Sequence, residues 1–324
     1  MSVDYTPDNT FIFSFVRMNP PTPGHLVLIK SMIDKAIELG VQKAYVLTSS
    51  SLDGKNPLPC GSQAIPKAKN KADAAIIERI TQSDLMYKSA LLDKMISAYK
   101  QQLIDSESNP DLKSKIENFQ VIVLCSTGSP FGFIYNIIKN DYIDKGIEKV
   151  NVFFIVGRDR ADFLDAIVDN FKTKDYIKSI NGLILEREGM EALKNTGMGQ
   201  RSISDINPSE YSASFVRGLV KNGQREDFAQ VYSAYISPED INRLYETISI
   251  GSQMKPPPSK DEDENPQSKY YDRGLLPVIN ADDMNSDDMN SYKRQRTEIG
   301  GKRRKTKKNR KNKRKTKRRY SRRK

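Results

Sequence analysis

Hydrophobic positions fall into short runs and helical stripes that alternate along the first 250 residues. Phe11-Ile-Phe-Ser-Phe-Val16 is an apolar, aromatic-rich run and predicts a buried strand. Leu26, Leu28, Ile29, Met32, Ile33, Ala36 and Ile37 then recur at helical spacing and stop at Gly40. Ala44-Tyr-Val-Leu47 predicts the next strand, which closes a strand–loop–helix–strand unit. Further strands are expected at 121–124, 150–156 and 182–185. Helices are expected at 85–103 and 131–138, from Ser212 onward, and from Ser237-Pro-Glu-Asp240 to about 250. The last has a Ser cap, Pro in its first turn and acids at the positive end of the helix dipole. Residues 49–80 are polar and Lys-rich and predict a long surface loop inserted into the domain. Apolar runs alternating with helical stripes predict an α/β fold: an open parallel sheet with helices on both faces.

After residue 250 the pattern stops. Pro256-Pro-Pro258, the acids of 261–264 and the tandem pentads 282–286 and 287–291 carry little apolar content. This predicts a disordered linker over 251–301, with 275–279 as a short docking motif. Residues 302–324 follow, with 17 Lys or Arg and no acid. The whole chain of 324 residues carries +12, so removing the tail leaves −5. The protein is a mildly acidic body with a polybasic tail, and its pI describes the tail.

Composition narrows the chemistry further. No apolar run reaches the 18 or more residues of a membrane helix, so no membrane partner is expected. The first ten residues lack a basic region followed by an apolar stretch, which argues against a secretory signal. Cys60 and Cys125 are the two cysteines and lack metal spacing, which excludes a disulfide framework or a Cys-based zinc site and fits a reducing compartment. His25 is the sole histidine, so a His dyad or a multi-His metal centre within one chain is excluded. No metal-ligating residues are expected.

Three segments carry candidate chemistry, each following an apolar strand or opening a helix. Asn19-Pro-Pro-Thr-Pro-Gly-His25 joins the first strand to the first helix, where free N–H groups and the positive dipole end favour a phosphate. Gly24 allows close approach of backbone to ligand, and His25 can donate to a phosphate oxygen. In Tyr211-Ser-Ala-Ser-Phe-Val-Arg217, Ser212 and Ser214 can cap a helix and donate to phosphate, and Arg217 sits one turn beyond on the same face. Val156-Gly-Arg-Asp-Arg160 follows a strand directly, so Gly157, Asp159 and Arg160 would border a ligand at the carboxyl edge of the sheet. The bland readings are a stiff proline turn, an ordinary Ser cap with a solvated Arg, and a charged turn.

The first segment looks like the T/HxGH motif of the nucleotidyltransferase superfamily of alpha/beta phosphodiesterases. The second is similar to its ISxTxxR motif, and the third resembles the GxD segment between them. Asp53-Gly-Lys-Asn-Pro-Leu58 also resembles a DxKNPL loop of a phage and giant-virus branch. The resemblance covers residues 10–235. Thr22 stands where many members have a first His, Ser214 replaces Thr, and Tyr211 replaces Ile. Cys-Gly-Ser-Gln follows the loop in place of Tyr-Glu-Glu-Arg.

The resemblance implies a Rossmann-like fold and transfer of an NMP group from a nucleoside triphosphate to a small phosphorylated acceptor, with release of pyrophosphate. It assigns catalytic roles to His25, Thr22 and Arg217. Asn19, Gly24, Gly157, Asp159, Ser212 and Ser214 would bind nucleotide, and Lys55 and Arg160 would reach the acceptor or a phosphate. Mg²⁺ would accompany the triphosphate, and relatives are often multimeric. The alternatives are a non-catalytic nucleotide binder and a virion protein that holds nucleic acid through 302–324. The tail resembles tails of large DNA virus proteins. An intracellular location is expected, in host cytoplasm or virion, with nuclear import as a further reading of the tail.

Overall fold

The computed structural model describes residues 5–83, 85–157, 161–185, 207 and 210–254. Five parallel strands form its centre: β1 (Thr10–Val16), β2 (Lys43–Ser49), β3 (Gln120–Ser126), β4 (Val150–Gly157) and β5 (Ile177–Leu185). Their spatial order is β3-β2-β1-β4-β5. The order reverses between β1 and β4, which pair in parallel through Thr10–Phe13 and Asn151–Phe154. In such a sheet the chain leaves β1 and β4 in opposite directions and opens a crevice at their carboxyl ends.

Helices cover both faces of this sheet, as the patterning predicts. Along β1, Ile12 faces one layer, while Phe11 and Phe13 face the other. The first layer holds α1 (Leu26–Leu39), α3 (Lys88–Ser106), α4 (Pro110–Asn118), α7 (Ala213–Lys221), α8 (Arg225–Tyr232) and α9 (Pro238–Gly251). The second holds α5 (Pro130–Asp141) and α6 (Ala161–Phe171). Aromatic rings bind that second layer. Phe13 stacks on Phe154 at 4.7 Å, and Phe154 meets Phe163 edge-on at 5.8 Å.

Four expectations need correction. The stretch 49–80 is not a surface loop. It contains α2 (Lys71–Gln82), capped by Asn70, whose Ile80 packs with Leu52, Leu85 and Met254 in a separate small core. Its Lys-rich composition hides an amphipathic stripe of three isoleucines. A helix at 110–118, with a Pro start and an Asn109 cap, stands where no helix was expected. The helix from Ser212 is two helices, because Gly223 takes a φ of 74° between them. Finally, Cys60 and Cys125 are joined as a disulfide across 65 residues, because the 53–60 segment folds back onto the end of β3. The linker and tail beyond 254 lie outside the described residues. Among the described residues no helix is long and apolar enough to cross a membrane.

The same 53–60 segment is pressed by the end of α9. A Cβ on Gly251 would sit 2.0 Å from the carbonyl oxygen of Pro57. Gly251→Ala must therefore push the segment away, and overpacking of this kind costs roughly 1–3 kcal/mol. The expected result is a lower urea midpoint at unchanged slope, with faster amide exchange concentrated at 53–60.

Candidate functional site

The first segment is built as a rigid turn. β1 ends at Val16, and Met18, almost fully buried, takes a left-handed φ of 40°. A non-glycine residue held there costs roughly 1–3 kcal/mol, which the surrounding packing must over-determine. The Asn19–Pro20 peptide is cis, and a short 3-10 turn over Pro23–His25 leads into α1. Thr22, Gly24 and His25 are all buried at this junction. The free N–H groups of the α1 first turn thus lie at the carboxyl end of β1, beside the sheet reversal.

Thr22 organises the turn. Its hydroxyl donates to the Tyr211 carbonyl at 2.6 Å, and its backbone N–H donates to His25 Nδ1 at 3.0 Å. With the Thr22 proton committed to Tyr211, Nδ1 is an acceptor and the ring proton is carried on Nε2, an assignment from the network. Thr22 Oγ1 also lies 2.8 Å from Nδ1.

Tyr211 opens the second segment, so the Thr22 bond joins residues 189 positions apart. Ser212 caps α7 by accepting from the Phe215 N–H at 3.1 Å. Arg217 crosses to the first segment and donates to the Asn19 carbonyl, and its other terminal nitrogen donates to Ser214 Oγ at 3.1 Å. Burial pulls the Arg217 pKa down, and the nearby Asp53 charge opposes that pull. Tyr232 of α8 adds a further brace, donating to the Pro21 carbonyl at 2.7 Å.

The 53–60 segment forms the third wall. Asp53 accepts from the N–H groups of Lys55 and Asn56 and from the Asn56 amide, which shapes a tight turn. Asn19 holds this segment by both ends of its side chain: Nδ2 donates to the Leu58 carbonyl at 3.0 Å, and the Leu58 N–H donates to Oδ1 at 2.9 Å. Asn19, expected to touch nucleotide, thus spends its amide on positioning this wall. Lys55 is exposed at the turn. Gly157 is buried at the end of β4, opposite Leu185. Asp159 and Arg160 lie outside the described residues.

Two cations complete the wall, and neither stood out in the sequence. Lys88, the first residue of α3, is fully buried, and its Nζ donates to the Ser49 carbonyl at 2.6 Å. Burial, with a smaller contribution from the Arg17 charge, lowers its pKa to about 7. Arg17 follows β1 directly, two residues before Asn19, is exposed, and acts on Lys88 through its charge. The available signal was electrostatic. A lysine in a helix's first turn opposes the dipole, and a site that gathers cations there is suited to anions.

Among the described residues no three His, Cys, Asp or Glu side chains stand close enough to share a metal ion. A groove of about 470 Å³ at the opposite, amino-terminal edge of the sheet has its main charges paired internally: Asp141 accepts from Lys43 and from the Tyr45 hydroxyl. Comparison with known proteins gives no match to a family model or to a curated protein.

Proposed function

We propose that this chain is a nucleotidyltransferase of the T/HxGH type, moving an NMP group from a nucleoside triphosphate to a phosphate-bearing acceptor. The observation that carries the reading is the joining of the two separated segments. Thr22 bonds Tyr211, and Arg217 bonds the Asn19 carbonyl, which ties the segments carrying His25, Ser214 and Arg217 together beside the sheet reversal. That is the place where open parallel sheets bind nucleotides.

In this reading an acceptor phosphate oxygen attacks the α-phosphorus. The new P–O bond forms as the bond to the β-phosphate bridging oxygen breaks, and pyrophosphate leaves. No covalent enzyme intermediate is required, so the chain positions reactants and stabilises charge. His25 Nε2–H donates to the α-phosphate oxygen where charge builds. Arg217, Ser214 and the α7 N-terminus hold the β- and γ-phosphates, and Gly157 borders the nucleotide. Arg17 and Lys55, both exposed, receive the phosphate of the acceptor, and Lys88 adds its field from behind them. Mg²⁺ neutralises triphosphate oxygens when bound. The carboxylate at the wall, Asp53, is engaged by Asn56 and Lys55, so the substrate rather than a protein cage would hold the ion.

The test is pyrophosphate release with each of the four nucleoside triphosphates and Mg²⁺ against a panel of phosphorylated acceptors. One productive pair establishes the reading. Absence of both turnover and nucleotide binding sinks it.

A second reading has its own observation, the 17 cations within residues 302–324. That density binds polyanions with a steep salt dependence and suits nucleic-acid packaging or nuclear import. Deleting 302–324 is expected to abolish the salt-steep binding of duplex DNA in filter-binding titrations while pyrophosphate release continues. Joint loss of both activities would show that tail and domain do not act separately.

A further inference from the structure

We propose that the Cys60–Cys125 disulfide is a thiol-operated latch that positions the 53–60 wall of the site. The inference rests on the reading of that wall as part of a polyphosphate site, but its test does not depend on turnover.

The argument starts from what the bond connects. Cys60 ends the wall segment and is fully buried, while Cys125 lies half-buried near the end of the outer strand β3. The sheet register places Thr48 of β2 beside Cys125, and the Thr48 hydroxyl lies 2.7 Å from Cys60 Sγ. Two residues before Cys60 stands Leu58, held at both backbone groups by Asn19. Asn19 in turn offers its carbonyl to Arg217. A continuous set of contacts therefore runs from the disulfide through Leu58 and Asn19 to the guanidinium assigned to the leaving phosphates. The carbonyls of Pro59 and Cys60 also accept from the N–H groups of Lys88 and Ser89, so the buried lysine sits on the same segment.

Opening the latch has a steric consequence. Two thiols cannot stay at bonding distance and must part to van der Waals contact. Cys60 is fully buried, and a close-packed interior passes such a displacement on to its neighbours. The segment that can give way is the wall, with Lys55 exposed at its turn.

The chemistry balances with an ordinary monothiol reductant such as glutathione. Its thiolate attacks Cys125 Sγ, the more accessible sulfur, forming a mixed disulfide as the S–S bond breaks. Cys60 leaves as thiolate and takes a proton. A second thiol then releases Cys125, so two electrons pass from two thiols, which become one external disulfide.

The experiment is hydrogen-exchange mass spectrometry of the full chain, oxidised against reduced, with Cys125→Ser as a second way of opening the latch. Reduction is expected to raise exchange at 53–60 by about tenfold while the β1, β2 and β4 amides keep their protection. Equal protection in both states overturns the proposal. So does a loss spread over the whole sheet, which would make the bond a general cross-link, and so do two free thiols after equilibration with oxidised glutathione. A linkage measurement adds a readout that a purely structural bridge would not move. In glutathione buffers, tripolyphosphate is expected to shift the thiol–disulfide midpoint toward the oxidised form, because coupling between two sites is reciprocal. An unchanged midpoint with tripolyphosphate bound counts against the latch. Failure of tripolyphosphate to bind either form counts against the transferase reading instead, and leaves the exchange result to decide the latch.

Discussion

His25→Ala is expected to lower kcat by about 100-fold or more with little change in KM. That is the scale for removing one preorganised donor aimed at developing charge. The KM expectation follows from timing: a donor that strengthens only as charge builds contributes to the transition state rather than to substrate binding. The geometry makes the prediction specific. The Thr22 N–H fixes Nδ1 as an acceptor, and Thr22 Oγ1 stands beside the same nitrogen. Nε2 is thereby the donor.

Thr22→Val supplies a graded companion, since it keeps the imidazole but leaves the buried Tyr211 carbonyl without its hydroxyl donor. A lost buried partner costs about 1–3 kcal/mol of stability, and the loosened imidazole is expected to lower kcat by roughly tenfold. Pyrophosphate release under saturating substrate, with urea unfolding in parallel, checks both. If His25→Ala turns over like the parent, His25 leaves the mechanism. If Thr22→Val exceeds His25→Ala in its effect on kcat, the Thr22 hydroxyl touches the substrate directly.

The sheet and most of its helices were legible because their signals are local. A parallel strand buried on both faces is a nearly continuous apolar run, and Val150 to Val156 is one. The α1 stripe from Leu26 to Ile37 needs no tertiary knowledge. The first two site segments were legible for a related reason: Asn19–His25 and Tyr211–Arg217 each mark a helix start with residues that the start itself requires. What joins them was not legible. The Thr22–Tyr211 bond spans 189 positions and is a property of the fold. The 53–60 wall was hidden in a polar stretch, because Leu58 is its one side chain in the main core and hydrogen bonds to Asn19 and Lys88 hold its backbone. The Cys pair failed as a signal for the same reason. Two cysteines 65 residues apart carry no spacing rule, and only the folding back of that wall brings them together. Lys88 was read as one polar position of a helix, and composition gives no warning that a lysine will be fully buried.

That burial makes Lys88→Met the most discriminating second test, because its two effects have opposite signs. In the folded chain the amine gives up its proton at about pH 7, against an ordinary lysine value of 10.5. The unfolded chain therefore holds more protons than the native one between those values. Stability of the parent rises with pH across that window and is lowest below pH 7, where the charged amine must be kept buried. Each pKa unit is worth 1.36 kcal/mol, so relief of that burden is on the order of 3–5 kcal/mol. Methionine removes the charge but leaves the Ser49 carbonyl unpaired, which returns about 1–3 kcal/mol.

The net expectation is a variant more stable than the parent by about 2 kcal/mol near pH 6, with the advantage shrinking as pH climbs toward 10.5. Binding moves the other way. Loss of a positive charge buried behind the acceptor phosphate, acting through space rather than by contact, is expected to raise the acceptor KM by roughly tenfold. Urea unfolding across pH 6–10, set beside acceptor titrations, measures both. A variant more stable and weaker in binding identifies Lys88 as a cation kept for an anionic ligand at the cost of the fold. A variant that loses stability at every pH would show that the amine is held for its bond to Ser49, and would remove it from the acceptor site.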